Sequence, residues 1–223
     1  MSQEFIFAIL YTLAFGAILA AGEVLHNILR VKTEFTRKFA HSTASLLSLT
    51  FPLVYTGYRY VLVMGVLFFF VLLIAQHRDL LRSINDVSRK TYGGILLPVT
   101  ITGAFMVSVW LDDVKLFIIP VLIMGISDSL AGLTGVVFGK KLRKVNIFSI
   151  QLNKTYLGST IFFLTALIIT IRSLHWYLGN YNTYTIAAAL CVAAGAALVE
   201  LFSSKGLDNI TVPLTALLIL LMF

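Results

Sequence analysis

Apolar residues run in stretches about as long as a lipid bilayer is thick, and the polar residues gather between them. A helix needs roughly 20 apolar residues to cross a hydrocarbon core of about 30 Å. Pro213 lies near the start of the last stretch, where a broken helix is tolerated only if protein rather than lipid surrounds it. We therefore predict an all-α, polytopic membrane helical bundle forming one domain over residues 1–223. Its eight predicted spans are 3–22, 39–56, 58–75, 95–111, 114–136, 157–172, 184–201 and 209–223.

The composition excludes a soluble protein. Hydrophobic residues make up 59% of the chain and charged residues 12%, whereas a soluble domain of this length needs far more charge to cover its surface. Cys191, the single cysteine, lies in an apolar run, which excludes a disulfide framework and a cysteine-based metal cluster. We interpret the net charge of +7 as cytosolic loops that face anionic lipid headgroups, and not as a nucleic-acid surface.

The basic residues predict how the bundle is oriented. Of the 17 lysines and arginines, all but Arg59, Lys115 and Arg172 fall in the connections on one side of the membrane. The positive-inside rule places that side in the cytosol and both termini outside. We expect the protein in the cell (inner) membrane.

A first polar cluster opens the second predicted span. Arg37 and His41 are four residues apart, and Lys38 and His41 three apart, so a helix places all three side chains on one face. Two cations and an imidazole near a helix N-terminus suit an anionic phosphate. An ordinary basic flank with a chance histidine explains the same residues.

Asp128 lies inside the otherwise apolar fifth span. A carboxylate at that depth is costly unless it is paired, hydrated or bound to a metal. Small residues around it, including Gly125, Ser127 and Gly132, let a ligand or another helix approach closely. A helix-packing seam explains the glycines but not the aspartate, so we favour a functional role for Asp128.

A third cluster precedes the sixth span. Lys154 offers a positive charge to a phosphate, and Gly158-Ser159 lets a helix begin close to a ligand. The residue order of a Walker phosphate loop is absent. Taken alone, this segment is a weak signal.

A fourth cluster flanks the turn between the last two spans. Glu200, Asp208 and Asn209 offer oxygen ligands of the kind that suit Mg²⁺, which takes one or two carboxylates and completes its shell with phosphate and water. A capped turn with Asp208 as the helix N-cap is an equally good explanation.

All four clusters map to one side of the membrane once the basic residues fix the orientation. A cytosolic site with basic and acidic groups together fits metal-assisted chemistry on a nucleotide phosphate. The second reactant would then arrive sideways from the lipid.

The clusters together resemble motifs of the CTP-dependent polyprenol and lipid kinases, the family of phytol kinase and dolichol kinase. The resemblance covers residues 37 to 213 and implies transfer of the γ-phosphoryl group of CTP to the hydroxyl of an isoprenoid alcohol or a related lipid. The matching motifs, in order, are Arg37-Lys38-x-x-His41, Asp128-x-x-Ala131-x-x-x-Gly135 with Phe138-Gly139-Lys140, Lys154-Thr155-x-x-Gly158-Ser159, and Glu200 with Asp208-Asn209-x-x-x-Pro213.

From the motifs and the resemblance we expect Asp128, Lys154 and His41 to be catalytic. The expected nucleotide-binding residues are Arg37, Lys38, Lys140, Lys154, Gly158 and Ser159. The expected Mg²⁺ ligands are Asp128, Glu200, Asp208 and Asn209. The expected partners are CTP, a membrane lipid alcohol and the bilayer, without nucleic acid.

Two other functions fit the same pattern. A phosphatidate cytidylyltransferase would make CDP-diacylglycerol from CTP, although its C-terminal signature of paired acidic residues among basic ones with His-Gly-Gly is not seen. A small lipid or ion transporter would use Asp128 and Glu200 as relay groups.

Overall fold

The computed structural model describes residues 2–86, 91–138, 143–147, 150–179 and 181–223, with the backbone alone at 147, 150, 151 and 153. Lys140, one of the expected nucleotide contacts, lies outside the described residues. The described chain is a bundle of helices with one two-stranded hairpin. The helices are α1 (Gln3–Asn27), α2 (Thr33–Ser48), α3 (Arg59–His77), α4 (Arg82–Asn85), α5 (Gly93–Trp110), α6 (Lys115–Leu122), α7 (Asp128–Phe138), α8 (Tyr156–Leu178), α9 (Thr183–Phe202) and α10 (Asp208–Leu220), and the strands are β1 (Lys144–Ile147) and β2 (Ile150–Thr155).

Six segments of the described chain are long and apolar enough to cross a membrane, which confirms the predicted helical membrane bundle. One of them, Lys115–Phe138, joins α6, a π-helical turn at Ile123–Ser127, and α7. The other two predicted spans correspond to the shorter helices α2 and α10. Pro213 of α10 is buried, as predicted.

The helix α2 differs most from its predicted span, 39–56. It begins at Thr33 because polar residues, which the apolar pattern leaves out, form its first turns. It ends at Ser48, and a 3₁₀ turn follows at Phe51–Leu53, with a proline in its first turn. The helix is thus shifted toward the end of the bundle that carries the basic residues.

Two apolar cores hold the helices together. The core among α6, α8, α9 and α10 is rich in alanine, and small side chains let helix backbones approach closely. The core among α1, α3, α5, α6 and the 3₁₀ turn is rich in aromatic residues, and several of its rings meet edge to face, as Phe105 and Phe117 do at 5.2 Å between centroids.

The bundle has two distinguishable ends. At one of them, Glu4 Oε1 accepts a hydrogen bond from the Thr56 amide at 3.0 Å, which ties α1 to the α2–α3 connection. At the other, Glu23 Oε1 accepts one from the Ser83 amide at 2.8 Å. We call this second end, where α1, α3, α7 and α9 finish and α2, α5, α8 and α10 begin, the site end.

The hairpin lies at the site end between α7 and α8 and was not predicted. Its strands pair antiparallel, with Lys144 opposite Thr155. Val145 is buried and its neighbours are exposed, so the segment has the alternation of a half-buried strand. The alternation is present in the sequence, but it is short and lies among lysines that are typical of a polar loop.

Candidate active site

The helix that carries Asp128 is interrupted directly before it by the π-helical turn Ile123–Ser127. Such turns are frequent at functional sites. Gly125 in this turn lies so close to α2 that an added Cβ would be 2.6 Å from the Ser45 Cβ. The Ser42 hydroxyl donates to the Gly125 carbonyl at 3.0 Å. The helix α2 is therefore fastened to the turn, and Asp128 is held at 4% exposure.

Lys38 and His41 of α2 face Asp128. The Lys38 ammonium donates to Asp128 Oδ2 and also to the Asp128 backbone carbonyl, the latter at 3.2 Å. His41 Nε2 lies 3.0 Å from the Met124 carbonyl and 3.8 Å from Asp128 Oδ2. Because a carbonyl oxygen only accepts hydrogen bonds, Nε2 carries the proton. His41 therefore donates a hydrogen bond to the π-helical turn that positions Asp128.

Gly132 has a definite role beside this pair. A Cβ built on it would lie 2.7 Å from the Lys38 Cε. The aliphatic stem of Lys38 thus passes directly over Gly132 on its way to Asp128. Any larger residue at this position would displace the lysine.

A second charged group forms around Lys154 at the end of β2. Its ammonium donates to Glu200 Oε1 at 2.5 Å and to Asp208 Oδ2 at 3.3 Å. Burial by itself lowers the pKa of Lys154, but the negative charges of Glu200, Asp208 and Asp128 outweigh it and raise the pKa above its ordinary value. Lys154 is therefore positively charged at physiological pH.

The first turn of α8 lies beside Lys154. The Thr155 hydroxyl accepts a hydrogen bond from the Gly158 amide at 3.1 Å and so caps the helix. A Cβ on Gly158 would lie 3.3 Å from the Ala131 carbonyl, so this glycine lets α8 approach α7 closely. The Ser159 hydroxyl is buried and has no hydrogen-bond partner among the described residues. A capped helix N-terminus with a spare hydroxyl suits an anionic group.

The turn between α9 and α10 packs against the start of α5. Gly206 has a φ of +83°, and an added Cβ would lie 2.4 Å from the Gly93 nitrogen. The Asn209 amide donates to the Gly93 carbonyl at 2.7 Å. Asn209 thus joins α10 to α5, a structural contact that its expected role as a metal ligand does not include. Asp208 is the first residue of α10 and not its N-cap, which is Leu207.

The charged groups, His41 and the first turn of α8 line one cavity of about 860 Å³, within the size range of small-molecule sites. Its charged end lies at the site end of the bundle, between α2, α7, the hairpin and the α9–α10 turn. An apolar limb continues from there between α1, α2, α3 and α5. The apolar limb is lined by Phe15, Ile18, Leu19, Ala44, Phe51, Val61, Met64, Phe68, Leu72, Leu97, Pro98 and Ile101.

Every expected site residue that the structure describes lines this cavity, while Lys140 lies outside the described part of the chain. Three of the expected phosphate-binding side chains are already paired with carboxylates. Lys38 and Lys154 are paired with carboxylates, and Arg37 is paired with Glu34 at 2.6 Å.

Two further lysines line the charged end, and motif analysis did not select them. Lys144 begins β1 and Lys205 lies in the α9–α10 turn. Within the described residues neither forms an ion pair, so both ammonium groups remain free to meet a phosphate. In the sequence Lys144 counts only toward the membrane orientation, and Lys205 lies within the fourth polar cluster without a role of its own. The fold of the hairpin and of the turn is what brings them to the cavity.

The four expected Mg²⁺ ligands do not form a single cluster. Within the described ranges, no three histidine, cysteine, aspartate or glutamate side chains group closely enough to hold a metal. Glu200 and Asp208 share Lys154, and Glu200 Oε2 is buried without a hydrogen-bond partner among the described residues. This donor set fits a cation that arrives with phosphate oxygens and takes one or two carboxylates. It does not fit a cage made of protein alone.

The chain is similar in sequence to known proteins. The chain is 27% identical over 206 residues to a phytol kinase from Synechocystis sp., covering 92% of this chain and 85% of that protein. This similarity over most of both chains supports a family-level relationship to phytol-kinase-like proteins. An uncharacterized protein from Rickettsia prowazekii is 37% identical over 116 residues, 51% of this chain and 50% of its own length. No family model matches the chain, and no solved structure matches it significantly.

Proposed function

We propose that this protein transfers the γ-phosphoryl group of CTP to the hydroxyl of an isoprenoid alcohol, with Mg²⁺, at the cytosolic face of the cell (inner) membrane. One observation carries the proposal: a single cavity joins a charged end with spare cations to an apolar limb inside the bundle. The charged end suits the phosphates of a nucleoside triphosphate, and the apolar limb suits the chain of a lipid. The similarity to a phytol kinase supports the same reaction class.

The charged end offers the parts that phosphoryl transfer needs. The alcohol oxygen attacks the γ-phosphorus, the bond from that phosphorus to the β–γ bridging oxygen breaks, and CDP leaves. Asp128, which lines the cavity, orients the hydroxyl and accepts its proton. Lys38 holds the Asp128 carboxylate in place, and His41 holds the π-helical turn beneath it.

The remaining charged residues bind the nucleotide. Lys144 and Lys205 contact the phosphates, together with Lys154 and the first turn of α8. Glu200 and Asp208 would hold Mg²⁺ together with the phosphate oxygens. The metal supplies charge neutralisation to the phosphates during transfer. Arg37 is released from Glu34 when a phosphate competes for it.

The purified protein tests the proposal directly. It is incubated in detergent with Mg²⁺, an isoprenoid alcohol and CTP labelled at the γ-phosphate, and in parallel with CTP labelled at the α-phosphate. We expect the γ-label in the lipid and the α-label in CDP. EDTA should abolish the transfer and added Mg²⁺ should restore it. Unlabelled ATP, GTP and UTP are added in the same assay as test competitors of CTP.

Each alternative gives a different product. With phosphatidate as the acceptor, α-label in the lipid and release of pyrophosphate would identify a cytidylyltransferase. Absence of label from every lipid, with a nucleotide-independent lipid or ion flux in vesicles, would identify a transporter. Equal transfer from ATP would overturn the preference for CTP. Asp113→Asn, at the end of the bundle away from the site, is the control for the carboxylate substitution Asp128→Asn.

A further inference from the structure

The apolar limb of the cavity follows one face of α3. The apolar side chains of this helix that line it are Val61, Met64, Phe68 and Leu72, beside Gly65. They are spaced by three or four residues, so they form a single stripe. At 1.5 Å per residue the stripe is about 16 Å long. The limb is therefore long enough to take an extended apolar chain.

Phe51 closes the limb at its far end. It lines the cavity, yet only 2% of its surface is exposed. Its ring packs edge to face on Phe105 at 5.9 Å and stacks on Phe117 at 6.3 Å between centroids. Neither of those two rings lines the cavity. Behind Phe51 there is thus a packed aromatic core, and a chain cannot pass through it without displacing these rings.

The floor and the charged end are fixed relative to each other. Phe51 follows α2 by only a few residues, and α2 carries Lys38 and His41 closer to the site end. The helix is bonded to the π-helical turn through Ser42 and His41. The distance from the reacting group to the floor is therefore set by one rigid element.

We propose that Phe51 and Val61 form a floor that limits the length of the lipid chain. This inference rests on the proposed function, since the occupant of the limb is the chain of the alcohol being phosphorylated. A chain that just reaches the floor places its hydroxyl at Asp128. A longer chain either pushes the hydroxyl past Asp128 or must displace the aromatic rings. In an apolar pocket, one methylene more or less changes selectivity by about tenfold or more.

The test measures kcat/KM for isoprenoid alcohols of increasing length, from geraniol through farnesol and geranylgeraniol to the next longer homologue. The wild-type protein should show a sharp fall beyond one length. Phe51→Leu opens the floor and should raise the ratio of the next longer alcohol to the preferred one by about tenfold. Val61→Leu fills the floor and should shift the preference toward shorter alcohols.

Phe105→Leu is the matched control. Phe105 is as buried as Phe51 and belongs to the same aromatic core, but it does not line the cavity. It should lower thermal stability and leave the length preference unchanged. If Phe51→Leu does not fold, Val61→Leu decides the matter alone.

The outcomes separate the inference from the function on which it rests. A wild-type protein that phosphorylates alcohols of all lengths equally overturns the floor. So does an unchanged preference in both floor variants, or an equal shift in Phe105→Leu. A wild-type protein that phosphorylates no alcohol overturns the proposed function instead.

Discussion

Lys38 donates hydrogen bonds to both the carboxylate and the backbone carbonyl of Asp128, a residue ninety positions further along the chain. The side chains are 12% and 5% exposed. The ion pair therefore explains how a carboxylate is tolerated inside an apolar helix. It also links α2, which carries the floor of the apolar limb, to the proposed catalytic carboxylate.

The first prediction concerns this pair. Asp128→Asn should reduce turnover by roughly two orders of magnitude or more, the usual scale for a positioned acid–base or electrostatic group. It should also lower stability, because Lys38 is left without its counter-charge, and breaking a buried pair costs about 3–5 kcal/mol. Turnover and the thermal unfolding midpoint in detergent measure the two effects.

The double variant Lys38→Met with Asp128→Asn separates catalysis from folding. It should regain much of the stability, since no charge is left unpaired, while turnover stays as low as in Asp128→Asn. Near-normal turnover in Asp128→Asn or in the double variant would remove Asp128 from the active site.

The second prediction concerns the pH dependence of Lys154. Its raised pKa means that the folded protein holds this proton more tightly than the unfolded chain does. The stabilisation is therefore complete below the ordinary lysine pKa of about 10.4 and is lost only as the pH rises through the higher folded value. Between pH 6 and 9 Lys154 should add no pH dependence to stability or to kcat/KM.

Two substitutions check this. Lys154→Arg keeps the charge and should keep the shape of the pH–rate profile over that range. Lys154→Gln leaves Glu200 and Asp208 unpaired and should raise the KM for the nucleotide. A basic limb in the wild-type profile below pH 9 that moves in Lys154→Arg would show that Lys154 titrates there, against this expectation.

The third prediction concerns Lys144 and Lys205, which line the cavity without an ion pair among the described residues. Lys144→Gln and Lys205→Gln should each raise the nucleotide KM several-fold and change kcat little, because they contribute charge to binding and not to the reacting atoms. The effect should weaken as ionic strength increases. Lys115→Gln is the control, since Lys115 is paired with Asp113 at 3.0 Å at the opposite end of the bundle. Equal effects in all three variants would indicate general electrostatics and not a phosphate site.

The fourth prediction concerns orientation. In a Cys191→Ala background, cysteines introduced as Asp79→Cys and Asn146→Cys should react with a membrane-impermeant reagent from the cytosolic side. Asp112→Cys and Leu53→Cys should react from the outside. All four positions are exposed, so accessibility does not limit the labelling. Reaction of Asn146→Cys from the outside alone would place the charged end of the cavity on the outer face.

Much of the fold follows from local sequence. Apolar length is a property of each segment by itself, because every helix that crosses a bilayer must satisfy its backbone hydrogen bonds internally. The helical bundle, the six long apolar segments and the burial of Pro213 were therefore predictable. The helix α2 was misplaced because polar first turns that face a cavity in protein do not obey the apolar pattern.

The sequence by itself also determined which residues have chemistry to offer. A buried aspartate and helix ends rich in charge stand out against an apolar chain, and every one of these residues that the structure describes lines the same cavity. Partner choice was a different matter. Only the tertiary structure decided that Lys38 pairs with Asp128 and that Lys154 joins Glu200 to Asp208, because these contacts connect residues distant in the chain. It also decided that Lys144 and Lys205 line the cavity without an ion pair to any residue that the structure describes. The floor at Phe51 is likewise a property of packing, since no local pattern distinguishes an aromatic ring that closes a cavity from one that lies behind it.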